Sequence, residues 1–202
     1  MIKIGITGII GSGKTTVSNL LRSRGFKVID LDSLAKNALE KKEIIEKIRS
    51  EFGEDVIIKG KVSPEKLKGI VFISKEKLKK LEGIIHPEVI KEISLQGEIL
   101  KSRGEGIMII DGPLIFEKGL HKELDKIIVV SAEQGLIKER LKQRGMDEKD
   151  IEARTSFQIP LSEKEKLADY VIYNNGTKKD LQTQVDLLIE RIREWEEKDA
   201  SK

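Results

Sequence analysis

The chain has 202 residues, no cysteine, a net charge of +3 and only 4% aromatic residues. That length suits one compact unit with an elaboration or two, and the missing cysteines exclude disulfides, thiolate zinc sites and a cysteine nucleophile. Charged residues make up 36% of the chain but are mixed in sign, so no nucleic-acid groove is expected, and no run reaches the length of a membrane span.

Ile2 to Ile6 opens the chain as a short apolar run that reads as a buried strand, with no basic-then-apolar leader before it. A cytoplasmic location is the expectation. Gly8-Ile9-Ile10-Gly11-Ser12-Gly13-Lys14-Thr15 follows and fits G-x-x-x-x-G-K-[ST]. Thr15 to Leu21 then reads as a helix with Val17, Leu20 and Leu21 on one side. Strand, glycine loop and helix form the setting in which this motif holds a nucleoside triphosphate. Gly8, Gly11 and Gly13 can adopt positive φ, letting backbone N–H groups converge on phosphate oxygens. The helix adds its N-terminal partial charge. Lys14 supplies a point charge for the β- and γ-phosphates, and the Thr15 hydroxyl is placed for Mg²⁺.

Lys27 to Leu31 is the second apolar run. If the strand continues, Asp30 and Asp32 share one of its faces, at the strand end that lines the crevice of an open parallel sheet. A carboxylate there can take a proton from an attacking hydroxyl or help hold Mg²⁺. Asp32 can equally cap the helix that starts near Ser33, and the residues alone leave both roles open.

Some 75 residues separate this run from the next, more than one crossover helix needs, so a small helical insertion is expected. Ser63-Pro64-Glu65 carries a cap, a first-turn proline and an early acid. Leu78, Leu81 and Ile85 keep helical spacing. Val89, Ile90 and Ile93 follow His86-Pro87, a pair that reads as a helix start.

Ile107 to Ile110 ends in Asp111, the pattern of a metal-side carboxylate. Pro113 to Glu117 follows as an apolar loop with one acid, and His121 reads as a surface loop residue. After the run Ile127 to Val130, the stretch Gln134 to Ala168 is charged and poor in apolar residues, so it is expected to be helical and loosely held. Arg140 and Arg144 share a helix face there, with Gly145 as the stop. They suit the charge of a phosphoryl-transfer transition state, and a solvated basic face suits them as well. Arg154 is a weaker candidate. Tyr170 to Tyr173 is the fifth strand, and Leu181, Val185, Leu188, Ile192 and Trp195 form the apolar seam of a last helix. Thr177-Lys178-Lys179-Asp180 superficially matches a guanine-reading pattern. Asp111-Gly112-Pro113-Leu114, however, lacks the glycine that a GTPase switch would need. Five continuous apolar runs separated by helices indicate an α/β fold built on a parallel sheet covered on both faces.

Taken in order, the glycine loop, Val28 to Asp32, Ile85-His86-Pro87, Pro113 to Glu117, Arg140 to Arg144 and Ala168 to Gly176 resemble the dephospho-coenzyme A kinase family across nearly the whole chain. That family usually has a second glycine where Ile9 stands. The resemblance implies a P-loop kinase core with a five-stranded parallel sheet flanked by helices (1–32, 105–133 and 168–202). It also implies a helical substrate-binding insertion (about 33–104) and a lid (about 134–167). The activity it implies is ATP-dependent phosphorylation of the ribose 3′-hydroxyl of dephospho-coenzyme A to coenzyme A, the final step of coenzyme A biosynthesis. A related small-molecule or nucleoside monophosphate kinase is the alternative. The implied ATP site is Gly11, Ser12, Gly13, Lys14, Thr15, Thr16, Arg144 and Asn175. Asp32, Lys14 and Arg140 would be catalytic, Asp32, His86, Pro113 and Leu114 would meet the acceptor, and Thr15 and Asp111 would hold Mg²⁺. No nucleic-acid, membrane or obligatory protein partner is expected.

Overall fold

The five apolar runs become five parallel strands, β1 (Ile2–Thr7), β2 (Val28–Asp30), β5 (Ile107–Asp111), β6 (Lys126–Ser131) and β7 (Tyr170–Tyr173). The computed structural model describes residues 1–147, 150–151 and 155–201, and Arg154 lies outside them. Strand order is β2-β5-β1-β6-β7. In this register Ile6 lies beside Asp111, and Asp111 beside Asp30. The C-terminal ends of β1, β5 and β2 therefore stand side by side, where an open parallel sheet presents its ligand crevice.

Burial on both faces explains why the central strands β5, β1 and β6 read as near-continuous apolar runs rather than alternating ones, while the edge strands β2 and β7 are only partly buried. Ile4, Ile6, Ile109, Ile128 and Ile172 are core residues. They pack with helices α1 (Lys14–Ser23) and α8 (Lys178–Ala200) through Val17, Leu21, Leu181, Val185, Leu188 and Ile192. Each such side chain contributes about 1.5–3 kcal/mol of burial. In α1 the buried face is completed by Ser18, while Leu20 is only partly buried. Thr177 and Asp180 cap each other at the start of α8: the Asp180 carboxylate accepts from Thr177 N at 2.8 Å, and Thr177 Oγ1 accepts from Asp180 N at 3.3 Å. The guanine-like pattern is thus a capping box.

Helix α6 (Gln134–Gln143) ends at Gly145, whose φ is 75°. It is held more firmly than its charged sequence predicts. Ile137 and Leu141 are buried beside Ala132, and Ile9, Ile10, Met146, Ile151 and Leu161 pack against them. A short helix, α7 (Leu161–Lys166), leads back to β7. His121 is not a free surface residue either, because its ring lies 5.5 Å from that of Phe116.

Contacts divide the chain into two compact units, Met1–Asp30 with Leu100–Lys202, and Leu31–Ile99. The second contains α2 (Leu31–Ala38), α3 (Lys42–Phe52), a hairpin of β3 (Ile57–Ile58) and β4 (Lys61–Val62), α4 (Pro64–Val71) and most of α5 (Lys75–Ser102). Its core is Ile44, Ile45, Ile48, Val56, Val62, Leu67 and Val71, joined by Leu78, Leu81 and Ile84 of α5. Ser63 caps α4 by accepting from Lys66 N at 3.5 Å, with Pro64 just inside the helix. The hairpin is an addition to the expected all-helical insertion. Its turn residues Lys59 and Gly60 have φ of 50° and 76°, as a two-residue turn between twisted strands requires.

Two further expectations are corrected here. Helix α5 runs through Pro87 instead of starting at it. A mid-helix proline loses one backbone bond and crowds the carbonyl four residues back, costing about 3 kcal/mol or more. Apolar residues on both sides, Leu81 and Ile84 before it and the buried Val89 and Ile93 after it, keep the helical period across the break. The second correction concerns Asp32. Strand β2 stops at Asp30, and α2 begins at Leu31. Leu31 turns inward at 8% exposure, and Asp32 is an exposed acid in the first turn. It neither alternates with Asp30 along a strand nor serves as the N-cap, although a first-turn acid still suits the helix dipole. Among the described residues, no helix is long and apolar enough to cross a membrane.

Candidate active site

The glycine loop joins β1 to α1, and its three glycines are required for two different reasons. Gly11 and Gly13 have φ of 85° and 99°, a region that favours glycine. Gly8 does not have positive φ. A Cβ there would lie 2.5 Å from the Val130 carbonyl oxygen of β6, so close approach is what excludes a side chain. Gly13 is the N-cap of α1, and no side chain caps this helix or places an acid in its first turn. Its N-terminal N–H groups are thus offered to an anion. Ser12 Oγ is buried with no hydrogen-bond partner among the described residues, an orphan that a phosphate oxygen would satisfy.

Lys14 sits at the first position of α1 and pairs with Oδ1 of Asp111 at the end of β5. Thr15 and Thr16, next in the helix, are exposed. Thr15 and Asp111 supply one hydroxyl and one carboxylate. Among the described residues, no cluster of three or more metal-ligating acids or histidines forms. That sparse oxygen set fits Mg²⁺, which keeps several waters and takes the rest of its ligands from substrate phosphates.

The loop is braced by the exit of β7. Asn174 is buried, and its Nδ2 donates to the Ser12 carbonyl at 2.8 Å. Arg140 reaches the same residue from α6, donating from Nη2 to the Asn174 carbonyl at 2.9 Å. Arg144 is the C-cap of α6 and exposed. Asn175 Oδ1 accepts from Glu133 N at 2.9 Å. A cavity of about 720 Å³ opens here, with Ile9, Glu133, Ile137 and Asn175 in its wall.

On the β5 side, the Pro113 carbonyl accepts from Thr7 Oγ1 at 3.2 Å and from Lys164 Nζ at 2.8 Å. Pro113 and Leu114 are half-buried. Lys164, on α7, is fully buried and also pairs with Glu117 at 2.8 Å. Burial pushes the Lys164 ammonium below the usual lysine range, the bond to Glu117 pulls it back, and the charge of Lys14 adds a smaller downward push. Glu117 in turn accepts from Ile159 N at 2.9 Å.

One unit therefore brings together Gly11, Ser12, Gly13, Lys14, Thr15, Thr16, Asp111, Pro113, Leu114, Arg140, Arg144 and Asn175. Asp32 and the half-buried His86 belong to the other, on α2 and in the interior of α5. Sequence reasoning missed Lys164 and the bracing by Asn174. Lys164 stands in Glu163-Lys164-Glu165-Lys166, a run that reads as solvated surface. Asn174 was visible only as part of the loop after the last strand.

A sequence profile described as dephospho-CoA kinase matches residues 2–180. A dephospho-CoA kinase of Fusobacterium nucleatum is 42% identical over 191 residues, 94% of this chain and 97% of that one. Among solved structures, a Thermus thermophilus protein matches with a TM-score of 0.80 and 37% identity, covering 94% of this chain and 97% of that one. The dephospho-CoA kinase from Campylobacter jejuni matches with a TM-score of 0.71 and 31% identity, covering 94% and 96%. With matches running almost end to end over the phosphate loop, sheet and insertion described above, the chain belongs to the dephospho-CoA kinase family.

Proposed function

We propose that this chain transfers the γ-phosphoryl group of ATP to the ribose 3′-hydroxyl of dephospho-CoA, giving CoA and ADP in the final step of CoA biosynthesis. Family membership supports the reaction. The observation that carries it at the level of residues is the braced loop, in which Lys14 and Asp111 meet at an uncapped helix N-terminus. A bond forms between the 3′-oxygen and phosphorus as the bond to the leaving ADP oxygen breaks.

Asp32 takes the hydroxyl proton during attack. Gly11 to Thr16 hold the phosphates, through loop N–H groups other than those of Ser12 and Thr16, which already bond the Ile9 and Gly13 carbonyls, and Lys14 neutralises charge that grows on them in a loose transition state. Thr15 and Asp111 would hold Mg²⁺, which supplies further neutralisation when bound. Arg144 reaches the phosphates from the lid. Arg140 neutralises transition-state charge from α6, Asn175 serves the nucleotide from the exit of β7, and the cavity beside Ile9 is large enough for a base. His86, Pro113 and Leu114 serve the acceptor. We place the reaction in the cytoplasm, with residues 33–104 as the acceptor-binding insertion and 134–167 as a lid that excludes water.

The test is a coupled ADP-release assay with Mg-ATP and dephospho-CoA, run beside nucleoside monophosphates as competing acceptors, with the product position fixed by mass and fragmentation. CoA formation is expected, reduced about a hundredfold to a thousandfold in Lys14→Ala, the scale for losing one electrostatic donor. Preference for a nucleoside monophosphate would overturn the acceptor assignment.

A further inference from the structure

Behind the phosphate loop lies a charged cluster that the proposed chemistry does not use. Lys164 is wholly buried, although a lysine is almost never so unless paired. Its partners among the described residues are the Pro113 carbonyl and the Glu117 carboxylate. The Pro113 carbonyl is shared with Thr7 Oγ1, so donors from β1 and α7 grip one oxygen just beyond Asp111. Glu117 is tied to Ile159 N as well, and its other oxygen is buried without a partner among the described residues. The neighbour of Lys164, Glu165, accepts from Ser131 Oγ at the end of β6. Residues 159–165 thus dock on the exits of both β5 and β6.

We propose that Lys164 is a positioning residue for phosphoryl transfer, clamping the Pro113 carbonyl and Glu117 so that the β5 exit holds Asp111 against Lys14. This rests on the kinase reading above. A buried ammonium suits the task because its carbonyl and carboxylate bonds are short, directional and shielded from water. Its loss lets the turn after Asp111 shift, and ångström-sized shifts of groups at a reacting centre are costly.

The test compares the wild-type enzyme with Lys164→Met, Glu117→Gln and the Lys164→Met/Glu117→Gln double variant. Thermal midpoint, nucleotide Kd, kcat and KM for ATP are measured, together with slow Mg-ATP hydrolysis in the absence of acceptor. Lys164→Met alone strands a buried carboxylate and loses stability, so the double variant decides. It is expected to fold with a midpoint at or above that of the wild type and an unchanged nucleotide Kd, while kcat falls by about tenfold to a hundredfold. Wild-type kcat in the folded double variant would reduce the cluster to packing and overturn the proposal. Loss of nucleotide affinity in step with kcat would overturn it too, because the cluster would then support the loop rather than Asp111. Thr7→Val, which removes only the other donor to the Pro113 carbonyl, is the second probe. Should the double variant fail to fold, Glu117→Gln decides: an unchanged kcat in that folded protein would sink the clamp, and a several-fold loss at wild-type nucleotide Kd would support it. If the wild-type enzyme hydrolyses Mg-ATP yet leaves dephospho-CoA untouched, only the acceptor assignment falls. The clamp is then judged on hydrolysis, which should drop by the same factor.

Discussion

Asn174 occupies the space that a side chain on Gly13 would need. Its Nδ2 lies 2.1 Å from the position of a Cβ at Gly13, while the same group bonds the Ser12 carbonyl at 2.8 Å. The exit of the last strand is thereby locked onto the first loop of the chain. Arg140 extends the lock to α6 by donating to the Asn174 carbonyl. Ile137 and Leu141 of α6 also pack directly against Ile9 and Ile10 of the loop, so α6 and the nucleotide loop are joined both by this hydrogen-bonded path and by apolar contact.

Replacing Asn174 by Ala removes that brace and leaves the Ser12 carbonyl without its partner. An unsatisfied buried polar group costs about 1–3 kcal/mol, so nucleotide Kd should rise about fivefold to a hundredfold, with the sheet intact. Gly13→Ala should be more severe, since it adds a Cβ at φ 99° directly against Asn174. Calorimetric titration with ADP measures both. A wild-type Kd in Asn174→Ala would mean the loop keeps its shape without help.

The role given to Asp32, an exposed acid in the first turn of α2, makes a sharper demand. Asp32→Asn keeps shape and polarity but cannot accept the hydroxyl proton. Turnover should fall by about 10²–10⁴-fold, the range for a lost general base, with nucleotide Kd and thermal midpoint unchanged. Single-turnover kinetics with Mg-ATP and dephospho-CoA would separate this from slow product release. Near-normal turnover would remove the base role.

What the sequence disclosed, and what it hid, follows from what each feature depends on. The central strands were legible because burial on both faces demands near-continuous apolar runs, and even the edge strand Tyr170–Tyr173, where only Ile172 is buried, matches its run residue for residue. The loop was legible because positive φ at Gly11 and Gly13 leaves few residue choices. Gly8 shows the limit: its glycine answers to the Val130 carbonyl, a neighbour 122 positions away that no local pattern reveals. The turn from β2 into α2 was misjudged because an apolar run cannot say where pleat gives way to helix. Pro87 was misjudged because tertiary packing outweighed a strong local breaker. Lys164 was invisible for a related reason. Four alternating charges in a row look alike, and only the packing of α7 against the β5 exit decides which one goes inside.

The seam of α8 offers a stability prediction independent of the chemistry. Leu188 is fully buried among Ile2, Ile4 and the α1 side chains in the main core. Leu188→Ala should cost about 2–5 kcal/mol, the spread reflecting how far the site can collapse. Denaturant midpoints at constant slope would read this directly. Activity per folded molecule should be unaffected, because the residue lies away from the strand ends that carry the loop.

The Lys164–Glu117 pair predicts a pH dependence whose sign can be worked out. Burial holds the folded ammonium below its ordinary value of 10.5, against the partial support of Glu117. Across the window between that lowered value and 10.5, the unfolded chain binds a proton that the folded chain has released. Stability attributable to this group therefore rises with pH through the window, and below it the full cost of burying the charge is present. Removing Lys164 alone should destabilise by about 3–5 kcal/mol, since the carboxylate is left stranded. Removing both charges in Lys164→Met/Glu117→Gln should be neutral or stabilising by about 1–4 kcal/mol at neutral pH. The advantage of the double variant over wild type should then shrink as pH climbs toward 10.5 and the wild-type lysine sheds its proton. Unfolding midpoints of both proteins from neutral to alkaline pH measure that gap. A gap that stayed constant or widened would show that the buried lysine keeps its proton as readily as an exposed one.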